Sequence, residues 1–404
     1  MPPPARCLDL TRLVSRQGRG PLTGIDRVEL AYLRHLLRAP QPLYALVRTR
    51  FGFLLLDEDG ARAALDRFEG RAQWGKSDLL GRLSLRAHPM KRRAEADLRR
   101  RAVARCRHGA LGRALLAELP PGTVYFNTGH SNLADDTLAA WRALPDARIA
   151  VLIHDTIPLD HPQFQRPGTV FSFREKLART ATHADVVICT AEATKADVAR
   201  WMAALGGAPR TLVAPLGIDA ARPDPAHIPA DLPLTRPFFV ALGTIEPRKN
   251  HALLLDVWDA LGPDAPYLLI AGRRGWRSEQ VFSRLDKIAA VNGRVIERPD
   301  LDDAAVAALL RQSNGLLFPS MAEGYGLPPL EAAALGVPVV CSDLPVIREL
   351  LGDKVVYLPP DDVYLWKKTV IELAGHGRAD HDKADAALKL PAWDAHFNRI
   401  LNVS

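Results

Sequence analysis

The stretch Phe318-Pro-Ser-Met-Ala-Glu-Gly-Tyr-Gly-Leu-Pro-Pro-Leu-Glu-Ala-Ala-Ala-Leu-Gly-Val-Pro-Val-Val340 indicates the fold more directly than any other part of the chain. It predicts a strand end, a glycine-bearing loop, and a helix with Pro329 near its first turn that ends before Gly336. The positive end of that helix and its free N–H groups would face an anion above a parallel sheet. Glu323 and Glu331 would repel such an anion. We therefore interpret them as acceptors of hydrogen bonds from a sugar and a ribose, the alternative being an incidental pair.

Short β-rich runs alternate with helical stretches on both sides of this motif. Their spacing predicts right-handed βαβ crossovers and a parallel sheet with helices on both faces, a doubly wound α/β domain. The predicted strands of the second half are Phe238 to Gly243, Tyr267 to Ala271, Leu316 to Phe318, Val339 to Cys341 and Val355 to Leu358. The predicted helices lie at about 250–261, 302–312 and 329–335.

The first half of the chain is also expected to be α/β. Its predicted strands are Leu43 to Val47, Thr123 to Phe126, Ala150 to His154, Val186 to Cys189 and Thr211 to Ala214. Residues 219–237 contain five prolines, which forbid a regular helix or a central strand. Because 404 residues exceed one ordinary core, two domains are expected. The predicted bounds are 1–220 for the first domain, 221–237 for a Pro-rich linker, 238–385 for the second domain and 386–404 for a C-terminal helix returning to the first domain.

The string from Glu323 to Ala332 resembles the signature of retaining glycosyltransferase family 4, the group 1 glycosyltransferases, in which seven residues separate two glutamates. The resemblance implies the GT-B fold, with two Rossmann-like domains facing a central cleft. It implies a nucleotide-sugar site in the second domain and acceptor binding by the first. Glu323 would then contact the transferred sugar as a catalytic residue and Glu331 the ribose. The loop residues expected at the donor are Gly324, Tyr325, Gly326 and Leu327.

A second motif, Ala241-Leu-Gly-Thr-Ile-Glu-Pro-Arg-Lys-Asn250, follows the first strand of the second domain. Adjacent cations at the carboxyl end of a parallel strand would neutralise a departing diphosphate. Lys249 is the main catalytic candidate, and Arg248 and Gly243 are assigned to the donor. Many relatives carry an arginine directly after this glycine, where this chain has Thr244, so the number of cationic phosphate contacts stays open. Arg248 could alternatively pair with a surface acid.

Two motifs of the first domain are also assigned to the site. Ile153-His-Asp-Thr-Ile-Pro158 is similar to the family's His-Asp-x-x-Pro string near the transferred sugar, and we assign His154 a catalytic role, a structural histidine being the alternative. Gly18-Arg-Gly-Pro-Leu-Thr-Gly24 precedes a helix predicted from about Asp26 to Leu37 and resembles the family's glycine loop beside phosphates and acceptor. Its assigned residues are Gly20, Thr23 and Gly24.

The resemblance implies transfer with retention of configuration, without a protein nucleophile. The two cations and the helix beginning near Pro329 would stabilise the leaving group, so neither a metal nor a cofactor is expected. The acidic run Asp57 to Asp59 imitates the triplet of metal-dependent transferases, but it precedes Gly60 and is interpreted as a hairpin or surface turn. The widely scattered cysteines, which lack the spacing of a metal site, are Cys7, Cys106, Cys189 and Cys341.

Charge is distributed unevenly along the chain. The net charge is +7, yet residues 1–130 hold 24 Lys and Arg against 12 Asp and Glu, which leaves −5 for the remainder. This asymmetry indicates an anionic partner or a solubilising surface. The basic stretch from Gly81 to Leu119 predicts reversible contact with an anionic membrane, with a solvated helical face as the alternative.

The expected partners follow from the resemblance and from composition. Residues 243–250 and 154–158 resemble mannosyltransferase-rich branches of the family, so GDP-mannose is the predicted donor and a UDP-hexose the alternative. The acceptor is expected to be a glycan or a lipid-linked glycan in cell-surface polysaccharide synthesis. Nucleic acid is not expected because no base-reading surface is recognisable. No apolar run of membrane-spanning length and no apolar leader were found, which predicts a cytoplasmic enzyme, with a catalytically inactive binding scaffold as the alternative.

Overall fold

The computed structural model describes residues 2–84, 86–232, 237–291, 293–375 and 390–401. Within these ranges the chain forms an eight-stranded sheet and a six-stranded sheet, which lie in consecutive parts of the sequence. Cys7 and Leu8, neighbours on the first strand, belong to different hydrophobic clusters. Because successive strand residues point to opposite faces, both faces of this sheet are buried.

The first sheet has the strand order β4-β3-β2-β1-β5-β6-β7-β8 and is parallel except where β3 pairs with β2 and β4. Its strands are β1 (Arg6–Asp9), β2 (Leu43–Thr49), β3 (Gly52–Leu56), β4 (Ala104–Cys106), β5 (Val124–Asn127), β6 (Arg148–Ile153), β7 (Val186–Cys189) and β8 (Arg210–Val213). Its helices are α1 (Thr11–Arg16), α2 (Gly24–Leu36), α3 (Glu58–Phe68), α4 (Leu79–Leu83), α5 (Pro89–Arg101), α6 (Leu111–Glu118), α7 (Asp135–Arg142), α8 (Ile157–Asp160), α9 (Thr169–His183) and α10 (Glu192–Ala204).

The second sheet is parallel throughout its described strands, in the order β11-β10-β9-β12-β13-β14. Its strands are β9 (Phe238–Leu242), β10 (Tyr267–Ala271), β11 (Val295–Arg298), β12 (Leu316–Phe318), β13 (Val339–Ser342) and β14 (Val356–Leu358). The helices are α11 (His251–Leu261), α12 (Glu279–Ala290), α13 (Asp303–Gln312), α14 (Leu327–Ala334), α15 (Pro345–Leu351), α16 (Val363–Gly375) and α17 (Trp393–Leu401). The predicted doubly wound α/β architecture is confirmed.

The strand order of each sheet reverses beside its first strand. β1 lies between β2 and β5, and β9 lies between β10 and β12. Ligands of open α/β sheets bind beyond the carboxyl ends of strands at such a switch point. The loops that follow β1, β5 and β6 in the first sheet, and β9 and β12 in the second, are therefore the places to look for a site.

The interpretation of Asp57 to Asp59 as a hairpin or surface turn was wrong. Asp57 is the N-cap of α3, and its carboxylate accepts a hydrogen bond from the backbone N–H of Gly60 at 2.9 Å. The acids that imitate a metal triplet thus occupy the cap and first turn of a helix, where negative charge is favourable.

The C-terminal helix α17 packs on the first sheet's side of the molecule. His396 is fully buried, donates from Nδ1 to the carbonyl of Ala214 at 3.0 Å, and accepts at Nε2 from the Tyr32 hydroxyl at 2.8 Å.

The predicted C-terminal helix covers 386–404, of which 386–389 and 402–404 lie outside the described residues. Residues 233–236 of the predicted linker and 376–385 of the predicted second domain also lie outside them, and the domain bounds stay a prediction. In the described ranges no helix is long and apolar enough to cross a bilayer.

We expect His396 to make the fold sensitive to acid. Burial lowers the pKa of its imidazole to about 4, below the value in an unfolded chain. As pH falls, the unfolded state therefore binds the extra proton before the folded state does. The contribution of His396 to the stability of the fold is lost as pH falls from about 6.5 through 4. The free energy of unfolding should drop more between pH 7.5 and 5 in the wild type than in His396→Gln, by about 1–2 kcal/mol. Urea denaturation of both proteins tests this, and parallel pH curves would contradict it.

Candidate active site

The loop after β12 reaches from the second sheet to the first. The backbone carbonyl of Gly324 accepts hydrogen bonds from the hydroxyls of Thr190 and Thr194, both at 3.2 Å. A Cβ on Gly324 would lie 2.6 Å from the carbonyl oxygen of His154, so only glycine permits this approach. The predicted sugar-binding loop and the predicted His154 motif are therefore adjacent, although 170 positions separate them in the sequence.

The rest of this loop leads directly into α14. Tyr325 is buried, and its hydroxyl donates to the carbonyl of Leu216 at 2.7 Å. Gly326 precedes the helix in the left-handed region, with φ of 87°. A Cβ on Gly24 of the first domain would lie 3.2 Å from the Leu327 side chain. The N-terminus of α14 thus lies against residues 18–24, which we call the opening loop of the first domain.

Glu323 is the centre of a buried ion cluster. Its Oε1 lies 2.6 Å from the Lys249 ammonium and 2.8 Å from the Arg248 guanidinium. Arg248 also contacts Glu246 at 2.6 Å. Lys249 belongs to a single 3₁₀ turn after β9, and its ammonium lies 4.4 Å from the centre of the Phe318 ring at the end of β12. Because β9 and β12 are neighbours, these groups converge at one sheet edge.

Glu323 is ionised at neutral pH. Burial alone would raise the pKa of Glu323, but the charges of Arg248 and Lys249 outweigh it and hold that pKa at about 2. Burial lowers the pKa of Lys249, and Glu323 opposes the shift. Burial likewise raises the pKa of Glu246 against the opposing charge of Arg248. Arg248 therefore pairs with buried acids of the site, and not with the surface acid considered from the sequence.

Gly243 determines how closely the backbone turn approaches Lys249. Its φ is 130°, and a Cβ there would lie 3.3 Å from Cε of Lys249. Asn250 ends the same turn in the left-handed region, with φ of 54°. This turn holds the ammonium at the carboxyl end of β9.

Glu331 forms a second contact between the first domain and the second domain. Its Oε1 accepts from Arg27 of α2 at 2.7 Å, and Arg27 also contacts Asp303 at 2.6 Å. Burial raises the pKa of Glu331, and Arg27 opposes the shift. The carboxylate lies in α14, eight positions after Glu323.

His154 is buried at the end of β6 and donates from Nε2 to the carbonyl of Thr128 at 2.7 Å. Burial lowers its pKa to about 4, so the ring is neutral at physiological pH with Nδ1 as an acceptor. His130 stacks obliquely beside it with ring centres 5.3 Å apart, and burial also lowers the pKa of His130. Sequence reasoning missed His130, although its location just after β5 at a switch point was an available signal.

Two glycines of the opening loop lie close to the second domain, and one threonine caps α2. The Thr23 hydroxyl caps α2 through Asp26, so it serves the helix start. Gly20, with φ of 97°, lies where a Cβ would collide with the guanidinium of Arg273 from the second domain. Gly20 and Gly24 therefore border the second domain, while Thr23 holds the loop's shape. The site roles of all these residues stay predictions.

A buried acidic pair under this loop was also missed. Asp9 at the end of β1 accepts from the Tyr125 hydroxyl at 2.7 Å and from Asn132 at 2.6 Å. Glu29 of α2 accepts from the backbone N–H of Leu13 at 3.1 Å, and burial raises the pKa of both carboxyls. The sequence did not predict these contacts, because the hydrogen-bond partners lie in distant segments of the chain.

Part of the chain is similar in sequence to proteins of known families. Residues 226–386 match the family model for glycosyl transferases of group 1. The chain is 30% identical over 234 residues to the serotype-specific mannosyltransferase WbdA of Escherichia coli, covering 52% of this chain and 28% of that protein. It is 33% identical over 125 residues to O-antigen chain mannosyltransferase B of Escherichia coli, covering 30% of this chain and 32% of that protein. The matches thus span about a third or less of these relatives.

Solved structures extend the likeness over the whole fold. The Anabaena protein HepE in complex with UDP-glucose superposes with a TM-score of 0.62 at 15% identity, covering 98% of this chain and 95% of that one. A mutant of the Staphylococcus aureus protein TarM, in complex with fondaparinux, alpha-GlcNAc-glycerol and UDP, gives a TM-score of 0.56 at 14% identity, over 73% of this chain and 58% of that one. The chain has the GT-B fold that the sequence predicted.

Proposed function

We propose that this chain, whose residues 226–386 match the family model for glycosyl transferases of group 1, transfers a hexose from a nucleotide-diphosphate sugar to a hydroxyl of a glycan or lipid-linked acceptor. The observation that carries the proposal is the buried cluster of Lys249, Arg248 and Glu323 at the carboxyl end of β9. It combines fixed cations for a leaving group with a carboxylate for sugar hydroxyls, beside the N-terminus of α14. The pathway would be cell-surface polysaccharide synthesis.

The reaction would proceed with retention of configuration. The bond between the anomeric carbon and the diphosphate oxygen breaks, and the acceptor oxygen bonds to the same face of that carbon through an oxocarbenium-like state. The acceptor's proton passes to the departing phosphate oxygen, so no protein nucleophile is needed. Lys249 and the N-terminus of α14 stabilise the leaving group, Glu323 orients the sugar, and neutral His154 supplies a hydrogen-bonding group near it.

The predicted donor is GDP-mannose, with a UDP-hexose as the alternative. The relatives named above that are at least 30% identical are both called mannosyltransferases, which supports mannose. Competition between GDP and UDP for the purified protein would decide the base, because the better inhibitor carries the donor's base.

A screen of nucleotide sugars tests the function directly. The protein should release GDP from GDP-mannose when lysate glycans are supplied, and mass spectrometry should find an acceptor heavier by one hexose. Turnover should persist in excess EDTA, because side-chain cations and a helix terminus stabilise the diphosphate. Activity that EDTA abolishes and manganese restores would contradict the metal-independent mechanism. No release from any nucleotide sugar would favour the inactive scaffold.

We also propose that the first domain contacts an anionic membrane, but over a smaller surface than residues 81–119. Two cations of that stretch turn inward. Arg93 donates to the carbonyls of Trp74 and Gly75, and Arg99 pairs with Asp78 at 2.8 Å. These side chains hold α5 to its neighbours and are not available to a lipid surface.

The membrane-contact surface that the structure favours is α4 and its surroundings. The side chains of Leu79, Leu80 and Leu83 are 75%, 37% and 63% exposed, and Arg82 and Arg86 beside them are exposed as well. An adjoining cavity has four cationic residues in its lining: Arg19, Arg50, Arg86 and Lys91. Exposed apolar side chains with cations beside them suit the surface of an anionic membrane, where each cation contributes about 1 kcal/mol of binding free energy.

Co-sedimentation with liposomes tests this surface. The wild type should pellet with anionic vesicles at low salt, and less with neutral vesicles or at high salt. A Leu79→Ser/Leu83→Ser double variant should pellet several-fold less, because it lacks the apolar contacts. Ile371→Ser, which removes an apolar side chain that is 53% exposed on α16, serves as the control. Equal recovery of all three proteins in every supernatant would rule the surface out.

A further inference from the structure

The cations assigned to the diphosphate carry little free charge. Lys249 and Arg248 supply two positive charges, and Glu323 and Glu246 lie against them with two negative ones. A departing nucleoside diphosphate bears at least two negative charges of its own. Because stabilising that charge is the main task of such a site, a further cation is expected nearby. The family's usual arginine cannot supply it, because Thr244 occupies that position.

Arg273 is joined to the same turn through the backbone. It follows β10, whose residues pair in parallel with β9, so both strands end at one sheet edge. The carbonyl of Arg273 accepts from the backbone N–H of Ile245 at 2.9 Å, and Gly243 donates its own N–H to Ala271 at 3.1 Å. Arg273 therefore lies beside the turn that begins with Gly243 and ends with Lys249.

The side chain of Arg273 extends towards the first domain. A Cβ on Gly20 would lie 2.7 Å from Cζ of the guanidinium, so the absence of a side chain at Gly20 leaves room for it. Arg273 thus spans the space between the turn after β9 and the glycine loop between α1 and α2. A donor's phosphates bound over the switch point of the second sheet would lie between these two segments.

Arg273 also differs from its neighbours in having no acid partner among the described residues. Within the described residues, the one hydrogen bond that its side chain makes is a long one from Nε to the carbonyl of Pro299 at 3.4 Å. The adjacent Arg274 is paired with Glu297 at 2.8 Å and with Asp286 at 2.6 Å. In the described part of the cleft, Arg27, Arg248 and Lys249 are paired as well.

We propose that Arg273 binds the diphosphate of the donor and supplies the cationic contact that Thr244 cannot. The proposal rests on the proposed function, since it assumes a nucleotide-diphosphate ligand. The guanidinium can donate two parallel hydrogen bonds to a phosphate, and no carboxylate of the described residues pairs with it. Thr244 and Arg273 occupy neighbouring positions at this edge: a Cβ on Gly275, two residues after Arg273, would lie 2.7 Å from the Thr244 methyl group.

Calorimetric binding of GDP, UDP and the corresponding nucleosides to the wild type and three variants tests the proposal. Arg273→Gln should weaken binding of the preferred diphosphate about tenfold or more and leave nucleoside binding unchanged, because only the phosphate contact is lost. Arg273→Lys should lose less. Arg274→Gln is the matched control, because it removes an equal charge one position away that is already paired with acids.

The outcomes separate this proposal from the function on which it rests. Wild-type affinity for the diphosphate in Arg273→Gln would overturn the role of Arg273 and leave the transferase intact. An equal loss for the nucleoside, or an equal loss in Arg274→Gln, would mean general damage to the loop and also overturn it. If the wild type binds neither GDP nor UDP, the proposed function fails first, and this inference fails with it.

Discussion

Replacing Lys249 with glutamine should lower the turnover number for sugar transfer by about 100-fold, the effect typical of removing one preorganised group that stabilises a developing negative charge. The ammonium is buried, fixed by Glu323 at 2.6 Å, and held at the carboxyl end of β9. Steady-state kinetics with the donor identified in the screen would measure the loss.

The choice of glutamine follows from the ion cluster. Alanine would remove both the charge and the packing of a residue that is 8% exposed, and would leave Glu323 buried with Arg248 alone. Breaking a buried pair in this way costs about 3–5 kcal/mol and could unfold the protein. Thermal denaturation must therefore accompany the kinetics. Lys287→Gln, at an exposed position of α12, is the control, and near wild-type turnover in folded Lys249→Gln would end this assignment.

Glu331→Ala should raise the donor KM at least about tenfold and change the turnover number less, because a ribose contact is present in both the ground state and the transition state. Arg27 would keep its other partner, Asp303, at 2.6 Å. The variant should therefore stay folded.

Asp303→Ala separates a ribose contact from a domain contact. It removes the other carboxylate that Arg27 binds, one whose side chain is 66% exposed, and it should change the donor KM little. If Glu331→Ala and Asp303→Ala raise KM equally, the effect belongs to the link through Arg27 between the two parts of the chain. The ribose assignment of Glu331 would then be wrong.

The sequence was most informative where local pattern and topology agree. The five predicted strands of the second half lie within one residue of their observed bounds, because their apolar runs are short, continuous and punctuated by glycine and proline. The proximity of Lys249 and Glu323 also follows from topology. Two motifs at the carboxyl ends of parallel strands must meet if those strands are neighbours, and β9 and β12 are.

The sequence was least informative where a partner lies far along the chain. Strands β1, β3, β4 and β11 were not predicted. Of these, β3 and β4 are antiparallel additions at one edge of the first sheet. The contact of Arg27 with Glu331 joins residues 304 positions apart and has no local signal. The same holds for the neutralisation of Arg248 by Glu246 and Glu323, because charge pairing depends on geometry that a motif does not encode.

The anomeric configuration of the first product tests the central claim most directly. The protein would be incubated with the α-linked nucleotide sugar that it consumes, without other acceptor, and slow transfer to water would be followed by proton NMR before the free sugar equilibrates. Retaining transfer predicts that the α-anomer accumulates first, together with an equal amount of nucleoside diphosphate. Initial formation of the β-anomer would contradict the account.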